Sequence, residues 1–257
     1  MNLLDLKNPQ AEVEKITWFI SRTFQKTNIQ NAIVAVSGGI DSALSLALTV
    51  GALGKDRVIP LLLPYGDQDM SDAQLVTDEL GLDENQVRVV NILPFVNDFC
   101  DILPISEQER VRKGNVMARV RMTVIYDYAK QHRALVVGTE NKSESYLGYF
   151  TRFGDEASDL EPLIHLYKTQ VRQLAKHLNL PQNIQTKLPS ADLWPNQTDE
   201  DELGFSYELA DQVLFAWKEL EKNPDEIMID GLTNELKNKI IERVKLNQYK
   251  HQVPYKL

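Results

Sequence analysis

Apolar residues recur along this chain in two rhythms, one helical and one made of short unbroken runs. Val13, Ile16, Ile20 and Phe24 fall on one side of a helix predicted over residues 11–26, with Glu12, Lys15 and Arg22 elsewhere on its surface. Ala32 to Val36 is an uninterrupted apolar run, the pattern of a strand buried on both faces of a parallel sheet. It stops at Ser37-Gly38-Gly39 and restarts as the helix-like Ala43-Leu44-Ser45-Leu46-Ala47-Leu48. Arg57 to Leu63 predicts a second strand, Ser71 to Leu80 a helix ending at Gly81, and Val87 to Ile92 a third strand. A long helix is expected from Asn115 to Gln131, and Ala134 to Val137 supplies another buried strand before Gly138-Thr139. Strands alternating with helices imply an α/β fold, a doubly wound parallel sheet with helices on both faces. In such a sheet the ligand crevice lies at the carboxyl ends of the strands, so the turns at Ser37 and Gly138 would face one nucleotide. No internal repeat, low-complexity tract or linker interrupts the pattern, and residues 1–257 read as a single domain.

Composition narrows the class. A chain of 257 residues, 43% hydrophobic and 25% charged, is ordinary for a globular enzyme with one substantial core. Its formal net charge of −9 argues against a general nucleic-acid or membrane-surface binder, so any phosphate binding must be local. Cys100 is the sole cysteine, which excludes an intramolecular disulfide and a cysteine-based zinc site and points to a reducing, cytoplasmic setting. No apolar run approaches the ~20 residues of a membrane span, and the start from Met1 to Lys7 lacks the basic region and apolar core of a signal peptide. His132, His165, His177 and His251 show no metal-binding spacing.

Chemistry concentrates in a few stretches. Between strand and helix, Ser37-Gly38-Gly39-Ile40-Asp41-Ser42 offers backbone N–H groups and the positive end of a helix to an anion. The Lys-Ser/Thr ending of the Walker loop is absent; Asp41 gives a carboxylate for magnesium and Ser42 a hydroxyl for a phosphate oxygen. The plainer alternative is a glycine turn with Ser or Asp near a helix cap. In Gly138-Thr139-Glu140-Asn141-Lys142-Ser143-Glu144, Thr139 is a donor for a nucleotide and Glu144 a second metal carboxylate; alternatively Ser143 and Glu144 merely cap a helix. Gly148 to Leu163 packs Arg152, Asp155 and Asp159 into one loop, with Lys168 shortly after, which suits a multiply charged ligand or a solvated loop of mixed charge. Arg110 to Met122 carries a cluster of basic residues that would meet phosphates or form the wet face of a helix.

The glycine turn resembles the pyrophosphate-binding loop of the ATP pyrophosphatase (N-type PP-loop) group. Together with Gly114-Asn115-Val116-Met117-Ala118-Arg119-Val120-Arg121-Met122, Gly138-Thr139, Phe153-Gly154-Asp155, Lys187 to Leu193 and Asp199 to Gly204, in that order, it resembles the ammonia-dependent NAD synthetase family over nearly the whole chain. The resemblance implies an adenine nucleotide alpha hydrolase-like fold. It also implies conversion of deamido-NAD, ATP and ammonia to NAD, AMP and pyrophosphate through an NAD-adenylate. By that resemblance Ser37, Gly38, Gly39 and Ser42 cradle pyrophosphate, Asp41 and Glu144 hold Mg²⁺, and Thr139, Lys168 and Ser190 contact ATP. Arg119, Arg152, Asp159, Tyr249 and Lys250 surround deamido-NAD, and Asp155 sits near the reacting carboxylate, where it helps bind metal or handle ammonium. Residues 185 to 203 are the loop that orders over substrate, and the family is homodimeric, with the Asn115 to Gln131 helix as the contact expected here.

Departures from the family pattern bear on this reading. Glu156 and Ala157 stand where two glycines are usual, and Tyr249 and His251 flank Lys250 where His and Arg are common. Arginine, common near the end of the second strand, is replaced by Leu62 or Leu63, so adenine recognition is expected to shift toward Tyr65 or Gln68. Glutamine-using relatives carry an additional amidase domain with a catalytic cysteine; the ~30 residues before the first strand are too few for one, which leaves free ammonia or ammonia from a partner. Two rivals keep the same loop: another PP-loop adenylating ligase such as a tRNA-modifying enzyme, and a non-catalytic ATP-binding sensor. The acidity of the chain counts against the first, and the metal carboxylates with the Arg152 to Lys168 cluster count against the second.

Overall fold

The structure, a computed structural model, describes residues 4–252, 254 and 255; Met1 to Leu3 and Val253, which belong to the expected start and tail segments, lie outside the described residues. Asn8 opens α1 (Pro9–Thr27) by accepting a hydrogen bond from the Ala11 N–H, and the stripe Ile16, Ile20 and Phe24 is buried. There follow β1 (Asn31–Ala35), α2 (Ile40–Leu53), β2 (Val58–Leu62), α3 (Ser71–Glu79), β3 (Arg88–Val89), α4 (Leu93–Ile102), α5 (Arg110–His132) and β4 (Ala134–Val137). The rest is helical: α6 (Lys142–Leu147), α7 (Lys168–His177), α8 (Gln182–Thr186), α9 (Asp199–Leu203), α10 (Tyr207–Leu214) and α11 (Asn234–Asn247).

The four strands form one parallel sheet in the order β3-β2-β1-β4. Successive strand residues face opposite sides, and each side has its own cover. Ala32, Val34, Leu135 and Val137 join a core with α1, α2, α3 and α7, whereas Ile33, Leu61, Ala134 and Val136 pack with Val96 of α4 and with Met117 and Val120 of α5. This two-sided burial explains the apolar runs and makes the fold doubly wound. A third apolar cluster, built on Tyr167, Tyr207, Ile240 and Ile241, packs α6, α10 and α11 together beside the sheet.

The chain leaves β1 outward through β2 and β3, then returns under the opposite face to lay β4 against the other side of β1. The order therefore reverses between β1 and β4, and their carboxyl ends flank the crevice where such sheets bind ligands. Two elements differ from expectation. Only Arg88 and Val89 form a ladder with Leu61 and Leu62, although Val90 N–H and Ile92 N–H still donate to Leu62 O and Pro64 O at 2.9 Å each, so the third strand is frayed rather than absent. Helix α5 begins before Gly114, and that glycine sits inside the helix because Leu193 packs on it; a Cβ there would lie 2.8 Å from Leu193 Cδ1.

Candidate active site

After β1 the chain turns through Gly38 at φ +80°, a left-handed angle that favours glycine. A Cβ on Gly38 would also lie 2.8 Å from Cβ of Asp72 at the start of α3, so the turn is pressed against a neighbouring helix. The hydroxyls of Ser37 and Ser42 lie 3.2 Å apart, Ser42 Oγ donates to Gly39 O at 3.0 Å, and the N–H groups of Ser37 and Gly39 donate to serine oxygens at 3.2 and 3.3 Å. The first helical bond of α2 runs from Ala43 N–H to Gly39 O, and no side chain caps this helix, so its opening N–H groups face the crevice. The loop is thus a ring of hydroxyl and N–H donors at a helix start, suited to phosphate oxygens.

Asp41, in the first turn of α2, meets two partners from the far side of the crevice. Its Oδ1 accepts from Asn141 Nδ2 at 2.8 Å and its Oδ2 from Lys168 Nζ at 2.5 Å. Lys168 Nζ also donates to Glu144 Oε1 at 2.9 Å. Asn141 and Glu144 form a capping box on α6, so the expected helix cap and the expected metal carboxylate are one residue using different oxygens. Lys168 is itself aimed by a buried network: its N–H donates to Ser143 Oγ, Ser143 Oγ donates to Asp211 Oδ1, and Asp211 Oδ2 accepts from Thr169 N–H. Burial pushes the Glu144 carboxyl up, against the pull of Lys168, while Asp41 and Glu144 raise Lys168 far enough to overcome its own burial. Asp199 adds a further buried carboxyl, held by Tyr207 Oη at 3.1 Å, with its Oδ1 unpartnered.

Asp41, Glu144 and Asp199 around one lysine set hard oxygen donors beside the phosphate turn. Two carboxylates that already converge on one cation fit Mg²⁺, which takes its remaining ligands from phosphate and water. Among the described residues no trio of His, Cys, Asp or Glu is placed to enclose a metal by itself.

The other expected residues divide between the crevice and its frame. Thr139 lies two residues beyond the end of β4, the strand that neighbours β1 and its glycine turn. Arg119 donates through Nε and Nη2 to Arg152 O at 3.3 and 3.2 Å, and the Arg152 guanidinium lies 5.6 Å from the Tyr249 ring centroid. Asp155 Oδ1 accepts from Thr151 N–H at 3.0 Å, and Thr151 Oγ1 donates to Asn115, which fixes this loop to α5. Asp159, by contrast, spends Oδ2 on the Val136 N–H of β4 at 2.7 Å. Lys250 Nζ donates to Gly148 O and Phe150 O at 2.6 and 2.8 Å, clasping the tail to the end of α6. Ser190 Oγ accepts from Asp192 N–H within its own loop.

At the end of β2 both leucines are core residues, and Arg121 of α5 donates to Leu63 O at 3.1 Å and to Gln68 Oε1 at 3.0 Å. Gln68 in turn donates to Asp192 Oδ2 at 2.5 Å, tying the 187–198 loop across the crevice mouth. Lys187 adds an ion pair to Asp72 at 2.6 Å on the other flank. Asn141, Asp199, Tyr207 and Asp211 received no role from the sequence. Asp199 lay in a quoted motif, but nothing local to Asn141 distinguished a cap from a brace on Asp41.

Residues 12–254 match the family model described as NAD synthase. The NH(3)-dependent NAD(+) synthetase of Fusobacterium nucleatum is 38% identical, with 99% of this chain and 97% of that protein covered. Among solved structures, the NH3-dependent NAD synthetase from Campylobacter jejuni is similar with a TM-score of 0.81 and 31% identity, covering 97% of this chain and 99% of that one. The NMN synthetase from Francisella tularensis is similar with a TM-score of 0.79 and 32% identity, covering 96% of each chain.

Proposed function

The chain belongs to the NAD synthase family and is a ligase, and on that premise we propose that it converts deamido-NAD, ATP and ammonia to NAD, AMP and pyrophosphate. One observation carries the reading: the donor-rich turn at Ser37 to Ser42 lies beside a pair of carboxylates that already share a cation. A carboxylate is a poor electrophile, so the nicotinate carboxylate first attacks the α-phosphorus of ATP and pyrophosphate leaves. Ammonia then attacks the acyl carbon, AMP departs and a proton is lost from nitrogen. Positioning and charge neutralisation dominate phosphoryl transfer, and the same holds for this nucleotidyl transfer.

In this reading Ser37, Gly38, Gly39 and Ser42 receive the departing pyrophosphate, and Thr139, Lys168, Gln68 and Ser190 border ATP. Asp41 and Glu144 would hold Mg²⁺, which supplies neutralising charge on the phosphates when bound. Arg119, Arg152, Asp155 and Tyr249 line the dinucleotide side. Asp159 and Lys250 serve it through the backbone they hold. The 187–198 loop keeps water from the acyl-adenylate. The Asn115 to Gln131 stretch of α5 remains the contact expected for a homodimer, and the exposed Phe95, Phe99 and Ile102 of α4 with Val111 of α5 are further apolar side chains suited to one. No described helix is long and apolar enough to cross a membrane, and a cytoplasmic setting remains the expectation.

The test is incubation with ATP, Mg²⁺, ammonium and deamido-NAD, following NAD and AMP. A parallel arm replaces deamido-NAD by nicotinate mononucleotide, because the Francisella tularensis relative is an NMN synthetase. AMP and NAD in equal amounts support the reading; ADP, a tRNA requirement, or amidation of the mononucleotide alone refutes it.

A further inference from the structure

We propose that Glu161, seated against Gly138 at the end of β4, and its neighbour Glu140 bind ammonium, which leaves a proton on the pair as ammonia enters the amide-forming step; this rests on the proposed function above. Glu140 is only 9% exposed, and its Oε1 is buried without a hydrogen-bond partner. Glu161 Oε1 is likewise buried and unpartnered, while its Oε2 accepts from the Glu140 N–H at 3.1 Å. Buried acceptors left open in this way are costly, and two on carboxyls joined through the Glu140 N–H call for a donor.

The seat is built by the backbone. A Cβ at position 138 would lie 1.8 Å from Glu161 Oε1, so only a glycine there admits this carboxyl against the strand end. Ser45 Oγ donates to Gly138 O and Gly138 N–H to Leu160 O, which fixes the floor beneath the pair. Burial and then the charge of Glu161 are the largest causes that push the Glu140 carboxyl up to about 9, with Glu144 and Asp155 adding to it, so the carboxyl keeps its proton until a cation takes that proton's place. The protein's own cations in this neighbourhood are engaged: Lys168 holds Asp41 and Glu144, and Lys250 holds the carbonyls of Gly148 and Phe150. Two carboxyls with spare oxygens suit a small monovalent ion that donates N–H bonds, whereas a divalent metal asks for more oxygen ligands than the pair supplies.

The experiment measures steady-state turnover of Glu140→Gln, Glu161→Gln and the double variant against ammonium chloride at constant ionic strength, alongside pyrophosphate release from ATP and deamido-NAD without ammonium. Glutamine keeps the volume and can still accept the Glu140 N–H. The expected result is an ammonium KM raised about ten- to a hundred-fold, the loss of a charge-assisted hydrogen bond, with KM for ATP and deamido-NAD unchanged and pyrophosphate release intact. An unmoved ammonium KM with intact pyrophosphate release overturns the proposal, as does a loss of pyrophosphate release in the variants. Potassium chloride that restores or replaces a missing ion in the unaltered protein, with ammonium KM unmoved in the variants, makes the pair an alkali-ion site and also overturns it. Failure of the unaltered protein to release pyrophosphate at all removes the proposed function instead, so the two failures are distinguishable.

Discussion

Replacing Lys168 with methionine keeps the alkyl volume and removes the charge that Asp41 and Glu144 share. The lysine side chain is 3% exposed and the two carboxylates 15% and 16%, so solvent offers little compensation. Breaking a buried ion pair from one side costs about 3–5 kcal/mol, and the residual exposure of the carboxylates points to the lower end, about 3 kcal/mol. With a urea slope of roughly 2–3 kcal/mol per molar, the midpoint for unfolding without Mg²⁺ or nucleotide should fall by about 1–1.5 M. The deficit should depend on pH in one direction. The Glu144 carboxyl is raised in the folded protein from its ordinary 4.5 to about 8, chiefly by burial, so it holds its proton more tightly folded than unfolded. Stability from that proton is complete below pH 4.5 and is lost as pH rises toward 8. Without Lys168 the carboxyl rises further, so the variant's deficit should be larger at pH 8.5 than at pH 6, and millimolar Mg²⁺ should recover part of it at the higher pH. A deficit below about 0.5 kcal/mol, the range of an ordinary surface change, or one equal at both pH values, refutes the reasoning.

Asp41→Ala should lower NAD formation by about two to three orders of magnitude at saturating substrates, comparable to deleting one electrostatic element of a transition state; NAD measured at an unaltered rate refutes the assignment. Gly38→Ala combines a φ of +80° with a Cβ 2.8 Å from Asp72 Cβ. It should cost about 2–5 kcal/mol in urea unfolding and raise the KM for ATP. Asp159→Asn should leave stability and the KM for deamido-NAD near normal because an amide oxygen still accepts the Val136 N–H. Asp159→Ala should instead lower stability by about 1 kcal/mol, read by the thermal midpoint. A raised KM in the asparagine variant would mean that the charge of Asp159 is felt by substrate.

The fold was legible because its signals are collective. Ala134 to Val137 is apolar at every position, and the structure buries both of its faces, one under the α1 side and one under α5. No single residue had to be read correctly for that inference. The edges were less legible for the same reason: beyond Val89 only scattered backbone bonds hold the third strand, and nothing in Val87 to Ile92 marks where pairing weakens. Gly114 shows a second limit. A glycine near the start of an apolar periodicity reads as a boundary, yet here it is a mid-helix contact for Leu193, a residue 79 positions away that no local pattern connects to it.

The site was legible in residue types and less so in roles, because a carboxylate that touches a ligand and one that braces the backbone look alike in one dimension. Asp155 and Asp159 are four residues apart in the same loop, and both were expected at the ligand. Through Oδ2 Asp159 accepts a strand N–H, which would otherwise lie unpaired at the sheet margin. Lys250 likewise meets backbone, the carbonyls of Gly148 and Phe150 just past the end of α6. Gln68 and Arg121 run the other way. The sequence showed leucine where a guanidinium was expected at the second strand and pointed to Tyr65 or Gln68 in its place; in space Arg121 of α5 meets Leu63 O and Gln68 together. Motif order thus points to the residue types, while three-dimensional geometry shows which of their polar atoms already hold the backbone. The asparagine and alanine substitutions at Asp159 measure that division, since only a supporting role lets the uncharged acceptor substitute for the acid.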